Sequence, residues 1–259
     1  MATIQSKTVL FITGGFVSHA CWNDWRRYFE ANGYRTTAPP WPAKNANADT
    51  LRCRHPDAAL AAVTLPDLIA HYTAVIHQLP EPPILIGHSL GGLLVQILLN
   101  QGLAAAGVAV HAVPPQGVIP YEWRFLKSNI QALGFFTSLQ ETYLMPFRKW
   151  QDVFTNGLSL EAQKNAYYEL AIPESKRVLR GALTRAAQVD FKKAHNPLLI
   201  LAGSKDHCIP ASIGRRNYNR YKGTRSVTDF VVKDRNHFVL GLPTWQEDAA
   251  YIINWLRRR

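Results

Sequence analysis

A chain of 259 residues with 47% apolar and 18% charged side chains has the composition of an ordinary globular protein. It can bury one large α/β core and carry a modest insertion, and with no apolar run of membrane-spanning length it does not read as a transmembrane chain. The net charge of +11 admits an acidic partner, nucleic acid or an anionic membrane surface. Its basic residues are scattered, however, apart from Arg215-Arg216 and Arg257-Arg258-Arg259, and no nucleic-acid motif accompanies them. The composition therefore favours a basic solvated surface, with no nucleic-acid and no membrane partner.

Lys7 to Thr13 reads as a buried strand followed by Gly14-Gly15, and residues 22–32 read as a helix stopped by Gly33. A short strand over 34–38 closes at Pro39-Pro40, and residues 43–60 read as a long surface loop. Apolar residues at helical spacing (Leu68, Ile69, Tyr72, Val75, Ile76, Leu79) predict a helix over 65–79, ended by Pro80. A strand over 83–87, a helix over 90–101 and a strand over 107–113 follow. Past Pro114-Pro115 the rhythm breaks, and residues 116–190 hold helical stretches and many aromatics without a buried-strand run. Alternation resumes with a strand over 197–202, a helix over 212–221, a strand over 226–232 and a helix over 245–256. Continuous apolar strands alternating with amphipathic helices specify a mostly parallel sheet covered on both faces. The expected core is 1–115 with 191–259, and 116–190 is a helical cap above the edge where such sheets bind ligands.

The most informative stretch is Gly87-His88-Ser89-Leu90-Gly91, a G-x-S-x-G pattern between a predicted strand and a predicted helix. A nucleophile on so sharp a turn leaves no room for side chains two residues either side, and glycine meets that demand. A serine hydroxyl needs a base, and the base needs a carboxylate to fix its tautomer. Asp206 follows the strand at 197–202 and His237 follows the strand at 226–232, in the chain order serine, acid, histidine. Asp234 is a rival acid only if the acid has migrated. His207 is adjacent to Asp206 and would point elsewhere, and His88 sits beside the nucleophile. His19, His55, His71, His77, His111 and His195 read as packed or solvated. An oxyanion hole needs two preorganised N–H donors, and Leu90 and Gly15 stand where they belong. The three cysteines (Cys21, Cys53, Cys208) lie in unrelated contexts and show neither a disulfide framework nor a zinc-ligand spacing. Residues 1–7 carry no signal-peptide pattern, so a soluble, reducing, cytoplasmic setting is the expectation.

Over essentially its whole length the sequence resembles the α/β-hydrolase fold superfamily. The matching stretches are Thr13-Gly14-Gly15 with Cys21-Trp22, Gly87 to Gly92, Gly203-Ser204-Lys205-Asp206 with Ile209-Pro210, and Asn236-His237-Phe238. Within that superfamily it looks like small bacterial esterase-type hydrolases with a helical cap, and residues 185–191 resemble the same group. The resemblance implies ester hydrolysis through an acyl-enzyme on Ser89, His237 and Asp206, without a cofactor or metal. Two positions depart from the pattern. Thr13 stands where members usually carry a histidine that supports the loop, and Asn236 stands where a glycine usually precedes the final histidine.

The cap aromatics suggest an apolar pocket, and Phe16, Leu90, Met145 and Trp150 are the candidate lining residues. Arg124, Lys127, Arg148 and Lys149 on the cap read as solvated rather than as an acidic-substrate site. A small-molecule ester taken by a monomer or homodimer is the leading expectation. Lactone or amide hydrolysis, carbon–carbon bond cleavage, peracid formation and a low-turnover ligand-binding homologue stay open, because fold does not settle reaction type. A dehalogenase would need a carboxylate nucleophile at position 89.

Overall fold

The computed structural model describes residues 4–259. Six strands form one wholly parallel sheet: β1 (Thr8–Ile12), β2 (Arg35–Thr37), β3 (Ile84–His88), β4 (Ala106–Val110), β5 (Leu198–Gly203) and β6 (Thr228–Lys233), in the order β2-β1-β3-β4-β5-β6. Consecutive side chains of a strand face opposite sides, and the two faces are filled accordingly. Leu10, Ile12 and Leu85 pack under the helices Leu65–His77 and Leu90–Asn100. Val9, Phe11, Ile84 and Ile86 pack against Trp25 and Phe29 of the helix Asn23–Ala31 and Ile252 and Trp255 of the helix Trp245–Arg257. Burial on both faces is why β1, β3, β4 and β5 are continuous apolar runs. β6 is an edge strand and is only half buried along most of its length.

The register places the site. Ile12 pairs with Gly87, Gly87 with Ala109, and Ala109 with Ile200, so the carboxyl ends of β1, β3, β4 and β5 share one edge. The chain winds outward from β1 to β2, then crosses to β3 and winds the other way. The crevice for ligands therefore opens beyond the ends of β1 and β3.

Residues 43–60 are not a plain loop. They contain the helices Ala48–Cys53 and Ala58–Ala62, capped by the Asn47 and Asp57 side chains, which accept from Thr50 N and Leu60 N. Leu51 and Leu60, both buried, anchor these short helices; five or six residues are too few to show a helical period in sequence. By contrast, the helix Leu65–His77 announces itself with a full capping box. Thr64 accepts from Asp67 N, and Asp67 accepts in turn from Thr64 N. Thr64→Ala is expected to cost about 1 kcal/mol, read as a lowered urea midpoint at unchanged slope.

Between β4 and β5 the chain forms the helices Trp123–Leu133, Phe147–Val153, Leu160–Leu170 and Lys176–Gly181, with no strand of the sheet among them. An apolar cluster of Val17, Met145, Trp150, Phe154 and Ile213 joins this segment to the sheet edge. Among the described residues no helix is long and apolar enough to cross a membrane.

Candidate active site

Ser89 lies in the turn between β3 and the helix Leu90–Asn100, with φ 56° and ψ −118°. A non-glycine residue held there costs about 1–3 kcal/mol and persists only where its surroundings fix it. Here they do. Ser89 N–H donates to Val110 O at 2.9 Å, and Ser89 C=O accepts from Val113 N at 3.0 Å, so the end of β4 and the chain just past it clamp the turn on both sides. Its steric demand is visible at the flanking glycines. A Cβ on Gly87 would lie 2.2 Å from Gly91 O, and one on Gly91 would lie 2.1 Å from Ile12 O.

The structure brings Ser89, His237 and Asp206 together. His237 Nε2 lies 3.1 Å from Ser89 Oγ, and His237 Nδ1 lies 2.7 Å from Asp206 Oδ2. Asp206 and His237 are buried. The carboxylate is fully occupied: Oδ1 accepts from Cys208 N at 2.8 Å and Ile209 N at 2.7 Å, while Oδ2 also accepts from His111 Nδ1 at 2.8 Å. Burial alone would raise the Asp206 pKa, but the His237 imidazole and the donors around it hold it well below the usual carboxylate range. An ionised carboxylate only accepts, so both histidines carry their proton on Nδ1. In the neutral imidazole that leaves His237 Nε2 as the acceptor facing Ser89. Burial pushes His237 down; the Asp206 carboxylate outweighs it and raises the imidazole above its ordinary value.

The sequence hides His111, because Ala112 and Val113 prolong the apolar run of β4. β4 stops at Val110, and His111 leaves it with φ 46°, its ring brought beneath Asp206. Its place at the same strand edge as Ser89 was the available signal. His88 is a brace. Its Nε2–H donates to His237 C=O at 2.9 Å, and burial first, then the neighbouring imidazoles, push it far down, so it stays neutral. Asp234 lies away from the histidine and pairs with Lys205 at 2.7 Å. Asn236 ties the histidine loop to the insertion, donating from Nδ2 to Asn156 O at 2.8 Å.

Leu90 N–H is the first of the helix after Ser89, and such groups have no carbonyl within the helix. Gly14 packs so closely on the nucleophile turn that a Cβ would lie 2.7 Å from His88 O and 2.8 Å from Ser89 Cβ. The Thr13–Phe16 turn, with Gly15, therefore stands directly beside Ser89. Phe16, Met145 and Trp150 do not line the cavity beside Leu90. They are packed into the cluster joining insertion to core, where Trp150 stacks on Phe154 at 4.5 Å and Phe154 sets its edge against His237 at 4.7 Å. The cavity, about 240 Å³, is bounded by Leu90, Val113, Ile119, Phe125, Leu133 and Leu179, with other mostly apolar residues. It meets the Ser89 turn at Leu90.

This strand order, turn and histidine–carboxylate arrangement have a family. The chain belongs to the alpha/beta hydrolase family, whose model matches residues 9–250. Among solved structures, it is similar to an extracellular alpha/beta-hydrolase from a Paenibacillus species, described as homologous in structure and function to tobacco salicylic acid binding protein 2. Identity is 20%, coverage 95% of this chain and 98% of that one, and the TM-score 0.71. A monoacylglycerol lipase from Paleococcus ferrophilus matches at 18% identity, 97% and 94% coverage, and TM-score 0.67. An Arabidopsis methylesterase matches at 17% identity, 96% and 98% coverage, and TM-score 0.68. At these identities the likeness shows the fold. A search among curated proteins found no match.

Proposed function

We propose that the chain is a serine carboxylesterase acting on compact, largely apolar esters. The observation that carries this reading is the continuous line from Ser89 Oγ through His237 to Asp206, at 3.1 and 2.7 Å. Ser89 Oγ attacks the ester carbonyl as His237 Nε2 takes its proton. The carbonyl oxygen becomes the oxyanion and accepts from the N–H groups of Leu90 and Gly15. Collapse of this adduct breaks the bond to the alcohol, which leaves with the proton from His237. Water then attacks the acyl-enzyme by the same route and releases the acid. The cavity beside Leu90 supports an apolar acyl or alcohol group at or below the small end of ordinary ligand pockets. The esterase and lipase names among the structural neighbours support the same chemistry.

The test is a fluorophosphonate probe with peptide mass spectrometry, run beside a panel of aryl esters of increasing chain length. The expected result is one adduct, on Ser89, and turnover greatest for short to medium acyl groups. No adduct on the folded protein, with no turnover of any ester, would favour the ligand-binding alternative.

A further inference from the structure

The turn that would supply the second oxyanion donor lacks the family's histidine, and Thr13 does not replace it. Thr13 Oγ1 is buried with no hydrogen-bond partner among the described residues. The turn nevertheless holds Phe16 at φ 69°, a left-handed conformation that a phenylalanine keeps only under outside support. That support comes from the segment 170–174, which links the helices Leu160–Leu170 and Lys176–Gly181. Phe16 C=O accepts from Ile172 N at 2.9 Å, and Ser18 N donates to Leu170 O at 2.8 Å. Phe16 N–H donates to Glu174 Oε2 at 3.1 Å.

Glu174 is completely buried and paired with Lys44, itself 3% exposed, at 2.5 Å. Lys44 Nζ also sits 3.7 Å over the Trp41 ring, and Trp41 Nε1 donates to Thr13 O at 3.2 Å. Both ends of the turn, Thr13 C=O and Phe16 N–H, are thus tied to one buried ion pair. Gly15 lies between them, where a Cβ would be 3.4 Å from Glu174 Oε2. A buried ion pair is poor evidence for stability as such. This one spends a carboxylate lone pair on the backbone of the turn.

Resting on the esterase reading, we infer that Glu174 and Lys44 are positioning residues that hold the Thr13–Phe16 turn so that Gly15 N–H meets the oxyanion. Glu174 supplies the acceptor that fixes Phe16. Lys44 neutralises a carboxylate that would otherwise repel the developing negative charge.

Three variants test this on the full chain. Lys44→Met leaves the carboxylate uncompensated and should lose both activity and stability. Lys44→Met/Glu174→Gln removes both charges and can keep its one oxygen for Phe16 N–H, giving up the bond that Glu174 Oε1 accepts from Ser175 N at 2.8 Å, and should recover kcat to within about tenfold of wild type. Lys44→Met/Glu174→Leu removes the acceptor too. Its kcat should fall by roughly 10²–10³, the loss seen when one oxyanion donor is removed, with KM changed less than about threefold. Its affinity for a trifluoromethyl ketone, which forms an oxyanion on the serine, should fall in the same proportion. Circular dichroism melts establish folding, and if the leucine variant does not fold, the recovery from Lys44→Met to the glutamine double variant decides. Wild-type kcat in a folded leucine variant overturns the inference, as does a folded glutamine variant no better than Lys44→Met. A wild-type protein that neither turns over esters nor takes up the fluorophosphonate overturns the esterase reading and this inference with it; an active wild type matched by the leucine variant overturns the inference alone.

Discussion

Ser89→Ala is expected to lower kcat for an activated aryl ester by about 10⁶-fold, a loss of roughly 8 kcal/mol of transition-state stabilisation. Ser89 Oγ is the hydroxyl that the structure sets against His237 Nε2, at 3.1 Å. The methyl side chain leaves the turn intact, because its two clamping bonds to Val110 and Val113 use the backbone of residue 89. Alanine and serine also bear the same φ penalty at 56°. The variant should therefore melt close to wild type and still bind substrate. Rates of about 10³–10⁴ over water are expected to survive, supplied by binding and the oxyanion donors. Fluorophosphonate uptake should vanish with turnover. A folded variant retaining more than about one hundredth of wild-type kcat would remove Ser89 from the nucleophile role.

The parts of this protein that were legible in the sequence share a cause: the chemistry is local to one strand end. The strand before Ser89 is buried on both faces, so it reads as an unbroken apolar run, and the glycines at 87 and 91 are forced by contacts within a few residues and with Ile12. Asp206 and His237 each sit just past a strand and needed only the order of strands to be placed. What escaped was non-local or came down to one residue of boundary. His111 was hidden because Ala112 and Val113 prolong the apolar run of β4, and nothing in the run shows the backbone turning left-handed after Val110. Lys44 and Glu174 stand 130 positions apart, in stretches that read as loop and insertion, and no periodicity links them. Of the expected lining residues Leu90 bounds the cavity beside Ser89, while Phe16, Met145 and Trp150 do not, for a related reason. Large aromatics mark where apolar surface is buried, but the best-buried ones, such as Trp150, fill the packing between insertion and core. The cavity is bounded by Phe125 together with aliphatic side chains and prolines, Val113 and Pro114 among them.

Asp206→Asn should lower kcat by about 10⁴ near neutral pH, because its single oxygen cannot accept from all four N–H groups that the two carboxylate oxygens serve, and His237 loses its enforced tautomer. The pH profile separates this from a general loss of structure. In the wild type, Asp206 raises His237 above its ordinary value, so the acid limb of kcat/KM should lie on the alkaline side of about 6.5. Without the carboxylate the main group that holds the proton is gone and burial pushes the imidazole down, so the limb should move to the acid side. The stability signs follow from the same pair. A depressed Asp206 contributes stability above its unfolded value of about 3.9, lost as pH falls through the folded value; a raised His237 contributes it below about 6.5, lost as pH rises through the folded value. The coupling is fully present only between those limits. Urea midpoints of wild type and Asp206→Asn should therefore differ more at pH 5 than at pH 9. An equal difference at both would mean that the cost lies in the unpaired donors of Cys208, Ile209 and His111, not in the charge on His237.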